Sequence, residues 1–234
     1  MPTLRPAADN DDHTIMSTTS TPFGAPAVRR IPLWLKLAYT GFMAVLVPVY
    51  LRNYGPTNFL YFCDVALIIT LVGIWIESPL LVSMCAVGII ASQTLWLIDF
   101  FSNLIGHPLT GLTDYMFMAD HSLFLRGLSP FHGWLPILLV YLVWRLGYDA
   151  LPAWTVVAWA LVLISFFLMP PPRPDPGLIP VNIDYVWGLS DTEVQHGMPP
   201  GIWLAALIIL LPALLYVPVH FLLRRLMPKP VCPW

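Results

Sequence analysis

Six apolar segments, each about the length of a membrane-crossing helix, take up most of this chain: residues 32–51, 57–76, 80–101, 131–148, 151–169 and 201–223. A helix rises about 1.5 Å per residue, so about 20 residues span a hydrocarbon core about 30 Å thick. Lipid offers nothing to a bare peptide group, so each segment must be a helix. The expected fold class is all-α: a polytopic membrane helical bundle of about six transmembrane helices with both termini cytoplasmic. Of the 234 residues, 58% are hydrophobic and 10% charged, where a soluble domain carries about 25% charged residues. A net charge of −2 excludes an electrostatic nucleic-acid binder.

Orientation follows from the basic residues. With a cytoplasmic N-terminus and six spans, the cytoplasmic side holds Arg5, Arg29, Arg30, Lys36, Arg145, Arg224, Arg225 and Lys229. The opposite side holds Arg52, Arg126 and Arg173. Residues 1–28 are polar, rich in small residues and without a helical period, and read as a disordered N-terminal segment rather than a secretory signal. Residues 29–228 form the transmembrane domain, with outer loops at 102–130 and 170–200, and 229–234 form a short cytoplasmic tail. Lys36, near one end of the first segment, is expected to snorkel. Within 102–130 the stretch LTDYMFMADHSLFL is apolar enough for a short interfacial helix, with Thr113 or Asp114 as its cap. The cysteines, Cys63, Cys85 and Cys232, include no CxxC pair and imply no disulfide framework.

Polar residues inside lipid need a reason to be there, and here they are unevenly placed. Asn58, Cys63, Asp64, Gln93, Asp99 and His132 all fall in the outer halves of the second, third and fourth segments. The outer loops add His107, Asp114, Asp120, His121, Asn182, Asp184 and His196. At 100° per residue, Asn58, Tyr61 and Asp64 share one helix face, as do Gln93, Trp96 and Asp99. The simplest packing brings Asp64 and Asp99 to one outward-opening cavity with His132 at its mouth. Plainer readings stand beside this one. Asp64 is also a structural hydrogen-bond partner, Asp99 a helix-end carboxylate, His132 a cap, Cys63 a small packing residue and His220 a marker of the lipid interface.

Short motifs carry a resemblance across residues 57–190. Leu60-Tyr61-Phe62-Cys63 resembles an L-x-L-C motif near the start of an early span. Phe131-His132-Gly133 resembles an S-H-G motif opening a later span, and Asn182-Ile183-Asp184-Tyr185 resembles an N-Y element in a further loop. In this order they are similar to the YwaF-like integral membrane proteins, bacterial relatives of an animal acyltransferase acting on ether phospholipids. Tyr61 stands where that family often has His, Phe131 replaces Ser, and two residues interrupt the N-Y pair. The resemblance implies lipid metabolism in a bacterial cytoplasmic membrane, with Cys63 as acyl-accepting nucleophile, His132 as its base, and Asn182 or Asp64 orienting the histidine. The catalytic set is then His132, Cys63 and Asp64. Asn58, Tyr61, Trp96, Asp99, Asn182 and Tyr185 line the substrate, a membrane lipid entering from the outer leaflet, and no cofactor is required.

Two other readings remain open at this point. A metal-dependent lipid hydrolase would draw ligands from Asp64, Asp99, His107, His121 and His132, although no HExxH-type spacing is present. A non-enzymatic protein would be a small transporter, or a subunit binding a membrane-protein partner through its outer loops.

Overall fold

The computed structural model describes residues 31–107, 109–118, 122–151, 153–175 and 177–230. The expected disordered segment 1–28, Asp120, His121 and Cys232 lie outside the described residues. Among those described, regular structure is entirely helical. The helices are α1 (Leu33–Asn53), α2 (Phe62–Ile76), α3 (Pro79–Leu104), α4 (Leu123–Leu128), α5 (Phe131–Leu146), α6 (Ala153–Leu168), α7 (Pro200–Leu211) and α8 (Val217–Leu226). Among the described residues four helical stretches are long and apolar enough to cross a membrane: Leu33–Asn53, Pro79–Leu104, Leu123–Leu146 (α4 with α5) and Pro200–Leu226. Phe62–Ile76 and Ala153–Leu168 are shorter apolar helices. Large apolar side chains such as Trp34, Ile137, Phe167 and Leu214 stand exposed on the outside of the bundle, as lipid contact requires.

The long α3 is the axis of the bundle, packing against α2, α5, α6 and α8. Gly88 makes the α6 contact possible: a Cβ there would fall 2.0 Å from the ring of Trp154, which is fully buried. Pro212 cannot donate to the helical ladder, and Pro212–Tyr216 forms a wide π turn joining α7 to α8.

One end of the bundle is fastened by polar contacts across the chain. Lys36 Nζ meets Glu77 Oε1 at 2.7 Å, tying the start of α1 to the end of α2, so Lys36 is ion-paired as well as near a membrane edge. Ser83 Oγ accepts from Asp149 N, and Tyr148 N donates to Pro228 O. Tyr148 Oη lies 2.8 Å from His220 Nδ1, so His220 has a defined partner inside the fold rather than acting only as an interface residue. Gly147 takes φ +94°, and a Cβ on it would sit 2.4 Å from Pro230 Cα. Residues 228–230 therefore dock onto the α5–α6 turn.

The second segment departs from the continuous helix expected over 57–76. Pro56 opens a 3-10 turn over Pro56–Leu60, Tyr61 is extended, and the α-helix begins at Phe62. Asn58 and Asp64 thus meet across a break instead of along one helix face. The interfacial helix expected in 102–130 is replaced by a 3-10 turn at Asp114–Met116 and by α4, which Ser122 caps by accepting from Leu125 N. Thr113 is not a cap because its hydroxyl is committed to Asp99.

Candidate functional site

The end of the bundle opposite the Lys36–Glu77 pair gathers the C-terminal parts of α1 and α3, the N-terminal parts of α2 and α5, and both long loops. Its residues fall into three groups.

The first is centred on His132. Its Nδ1 donates to Gln93 Oε1 at 2.8 Å, and its ring lies 4.8 Å from Trp96 and 4.0 Å from Phe131. Gln93 is buried in α3. A carbonyl oxygen on Nδ1 selects the tautomer with its proton there and leaves Nε2 as the ring's acceptor. The orienting bond expected from Asn182 or Asp64 is supplied by Gln93.

The second group is Asp99 and the segment it holds. Oδ1 accepts from Leu109 N at 3.1 Å and Thr110 N at 2.7 Å, and Oδ2 accepts from Thr113 N at 2.9 Å and Thr113 Oγ1 at 2.7 Å. Four donors saturate the carboxylate. Asp99 closes the loop onto α3 and presents no free oxygen to the outward-opening cavity in which it was expected beside Asp64. That loop delivers Tyr115, which stands within electrostatic reach of Ser129, Trp96 and Cys63. Ser129 also meets Tyr50 Oη at 3.3 Å, just before α5.

The third group surrounds the first turn of α2. Asn58 Nδ2 donates to Asp64 Oδ2 at 2.9 Å, and Phe62 N donates to Asp184 Oδ1 at 3.2 Å. Asp64 and Asp184 are both buried, and they act on each other electrostatically. The other oxygen of each, Asp64 Oδ1 and Asp184 Oδ2, is buried without a hydrogen-bond partner. Burial pushes the Asp184 carboxyl well above the usual range. The nearby Asp64 adds to that push and the Phe62 amide opposes it. Half-buried Cys63 directly precedes Asp64 in α2 and lies within electrostatic reach of both carboxylates.

Asp184 is delivered by a strained turn. Asn182, Asp184 and Tyr185 all have left-handed backbones, with φ of 48°, 58° and 59°. Such φ values are unfavourable for a bulky residue like Tyr and persist only where the surroundings over-determine them. Here Asn182 Oδ1 accepts from Trp187 N, while its Nδ2 donates to Gly188 O and Ser190 O. Trp203 Nε1 donates to Tyr185 O, and Trp187 stacks on Phe166 at 4.5 Å. Asn182 therefore shapes the turn, and its amide is fully used in doing so. Tyr185 stands within electrostatic reach of Cys63, Asp184 and Tyr115, and Tyr61 of Cys63, Asp184 and Tyr185.

Sequence reasoning thus named His132, Cys63, Asp64, Asn58, Tyr61, Trp96 and Tyr185 at this end of the molecule. It missed the roles of Gln93, Tyr115, Ser129 and Asp184. Asp184 could have been singled out as the acidic residue inside the N-x-x-Y element. Among the described residues no group of three or more His, Cys, Asp or Glu side chains could hold a metal ion. Asp99 is taken up by its loop, which removes one of the ligands that the hydrolase reading needed. No family model, curated protein or solved structure matches the chain.

Proposed function

We propose that the chain is a six-span membrane protein with both termini cytoplasmic, and that the end bearing His132 is a lipid-directed acyl-transfer site at the outer leaflet. The basic-residue distribution supports the orientation, and the resemblance to YwaF-like proteins supports a bacterial cytoplasmic membrane. The observation that carries the chemistry is His132: Gln93 holds its Nδ1 and leaves Nε2 as an acceptor at the same end of the bundle as the first turn of α2, which bears Cys63. The motif resemblance supports pairing the two.

In this reading the Cys63 sulfur attacks the acyl carbonyl of a lipid ester while His132 Nε2 takes the thiol proton. The ester C–O bond breaks, a thioester forms on Cys63, and the lysolipid oxygen leaves with the proton from His132. A second hydroxyl, or water, then attacks the thioester with His132 again as base and restores the thiol. Proton removal to His132 accompanies attack. Gln93 fixes the imidazole for this role.

The test is the full chain reconstituted in vesicles containing an alkyne-tagged acyl phospholipid. Label should appear on the protein, be released by neutral hydroxylamine, and vanish in Cys63→Ser. A Cys63→Ser variant that still transfers or hydrolyses acyl groups overturns the reading. Absence of any turnover by folded wild type does the same and leaves a non-enzymatic role.

A further inference from the structure

The carboxylates of Asp64 and Asp184 are not used by the acyl-transfer chemistry. Asp64 is 3% and Asp184 7% exposed, and each has one oxygen bonded within the protein and one without a partner. Asp184 is acted on by its burial, the Phe62 amide and Asp64. Two adjacent buried carboxylates with no cation are unfavourable unless they are protonated or meet a positive charge from outside. The walls fit the second alternative. Tyr50 and Tyr54 lie within electrostatic reach of Asp64, and Tyr61 and Tyr185 within reach of Asp184. Tyr50 and Tyr54 meet edge to face with centroids 5.1 Å apart. Aromatic rings beside anionic oxygens form an environment that suits organic ammonium groups, which are large, weakly hydrated and attracted to ring faces. Cys63, next to Asp64 in sequence, would face the acyl portion of a molecule whose charged end is held here.

We propose that Asp64 and Asp184, walled by these tyrosines, form a recognition site for an organic ammonium group, such as the one a zwitterionic phospholipid headgroup carries. The proposal rests on the acyl-transfer reading for the direction in which the ligand lies, and on the unpartnered oxygens for the site itself. It assigns Asp64 to binding rather than to proton transfer.

Binding is measured on the full chain in detergent micelles with lipids of identical acyl chains: phosphatidylethanolamine and phosphatidylcholine, which carry ammonium, and phosphatidylglycerol, which does not. Wild type should retain the ammonium lipids at least tenfold more tightly. Asp64→Asn and Asp184→Asn should each weaken that preference, and the double variant should reduce it below twofold. These changes keep the oxygens that accept from Asn58 and Phe62, and Asn tolerates the left-handed backbone at 184, so folding is preserved and is checked by circular dichroism. Soluble ethanolamine and choline, added as competitors, separate a site satisfied by the free amine from one needing the lipid-borne group. Equal retention of all three lipids by wild type overturns the proposal, as does a preference unchanged in both single variants. Cys63→Ser should bind with the wild-type preference, so loss of acyl transfer and loss of ammonium recognition are read separately.

Discussion

Gln93 and His132 form the most specific polar pair at the working end, and each depends on the other. His132→Ala should lower acyl transfer by about 10²–10⁴-fold, the usual contribution of a general base, while membrane accumulation stays normal. Gln93→Leu should lower turnover without changing lipid affinity, because it releases the ring from its tautomer and leaves the headgroup contacts intact; a kcat/KM analysis separates the two. Failure of His132→Ala to accumulate would make the histidine structural. Asp99 predicts a different pattern. Asp99→Asn replaces one acceptor with a donor facing the Thr113 amide, and should destabilise by about 1–3 kcal/mol. The readouts are a lower melting temperature and faster proteolysis within 105–113, with activity falling in step. His132 was legible in the sequence because a histidine at the start of an apolar segment is conspicuous. Gln93 was visible among the polar residues of the third segment and on its helix face, but not as the partner of His132, since a neutral amide has no charge to explain.

Single helices owe their placement to small local exceptions. Gly88→Ala puts a methyl into the Trp154 ring and should destabilise by about 1–3 kcal/mol, as overpacking does. Trp154→Leu in the same chain should restore part of the loss, a coupling measured by thermal unfolding of the four-variant cycle. The turn at 182–185 carries the pH dependence. With no ammonium group bound, Asp184 has a raised pKa when folded, so the native state holds a proton that the unfolded chain releases near the ordinary value of about 3.9. Stability from this group is present below that value and falls as pH rises toward the raised one. Asp191, also raised by burial, adds in the same sense. Melting temperature should therefore decline from about pH 4 upward, and less steeply in Asp184→Asn. The helix over 57–76 was misjudged at its start because hydropathy runs unbroken through Pro56–Leu60. Apolar content sets burial in lipid, whereas Pro56 and the strained Asp184 turn set the path of the backbone. No period in the sequence registers a contact such as Phe62–Asp184, which joins residues 122 apart.

For the whole molecule, the gathering of Asn58, Asp64, Asp99 and His132 toward one end was legible from the polar residues, because each buried Asp, Asn or His in an apolar chain marks a contact, whereas the contacts that fasten the other end were not. Orientation is the remaining question. Reporter fusions after residues 110 and 190 should read the outer compartment, and a fusion after residue 230 the cytoplasm. An inverted pattern moves the site to the inner leaflet.

The docking of Pro230 on Gly147 also bears on the order of events during synthesis. The α5–α6 turn is made long before the residues that cover it. It must wait, uncovered, until the ribosome has released residues 227–230 from its tunnel. Nascent chains arrested at residue 226 should stay open to protease at 147–151, and chains released past residue 230 should become resistant. The bundle would then close from residues 227–230 backward, and their emergence would be its latch.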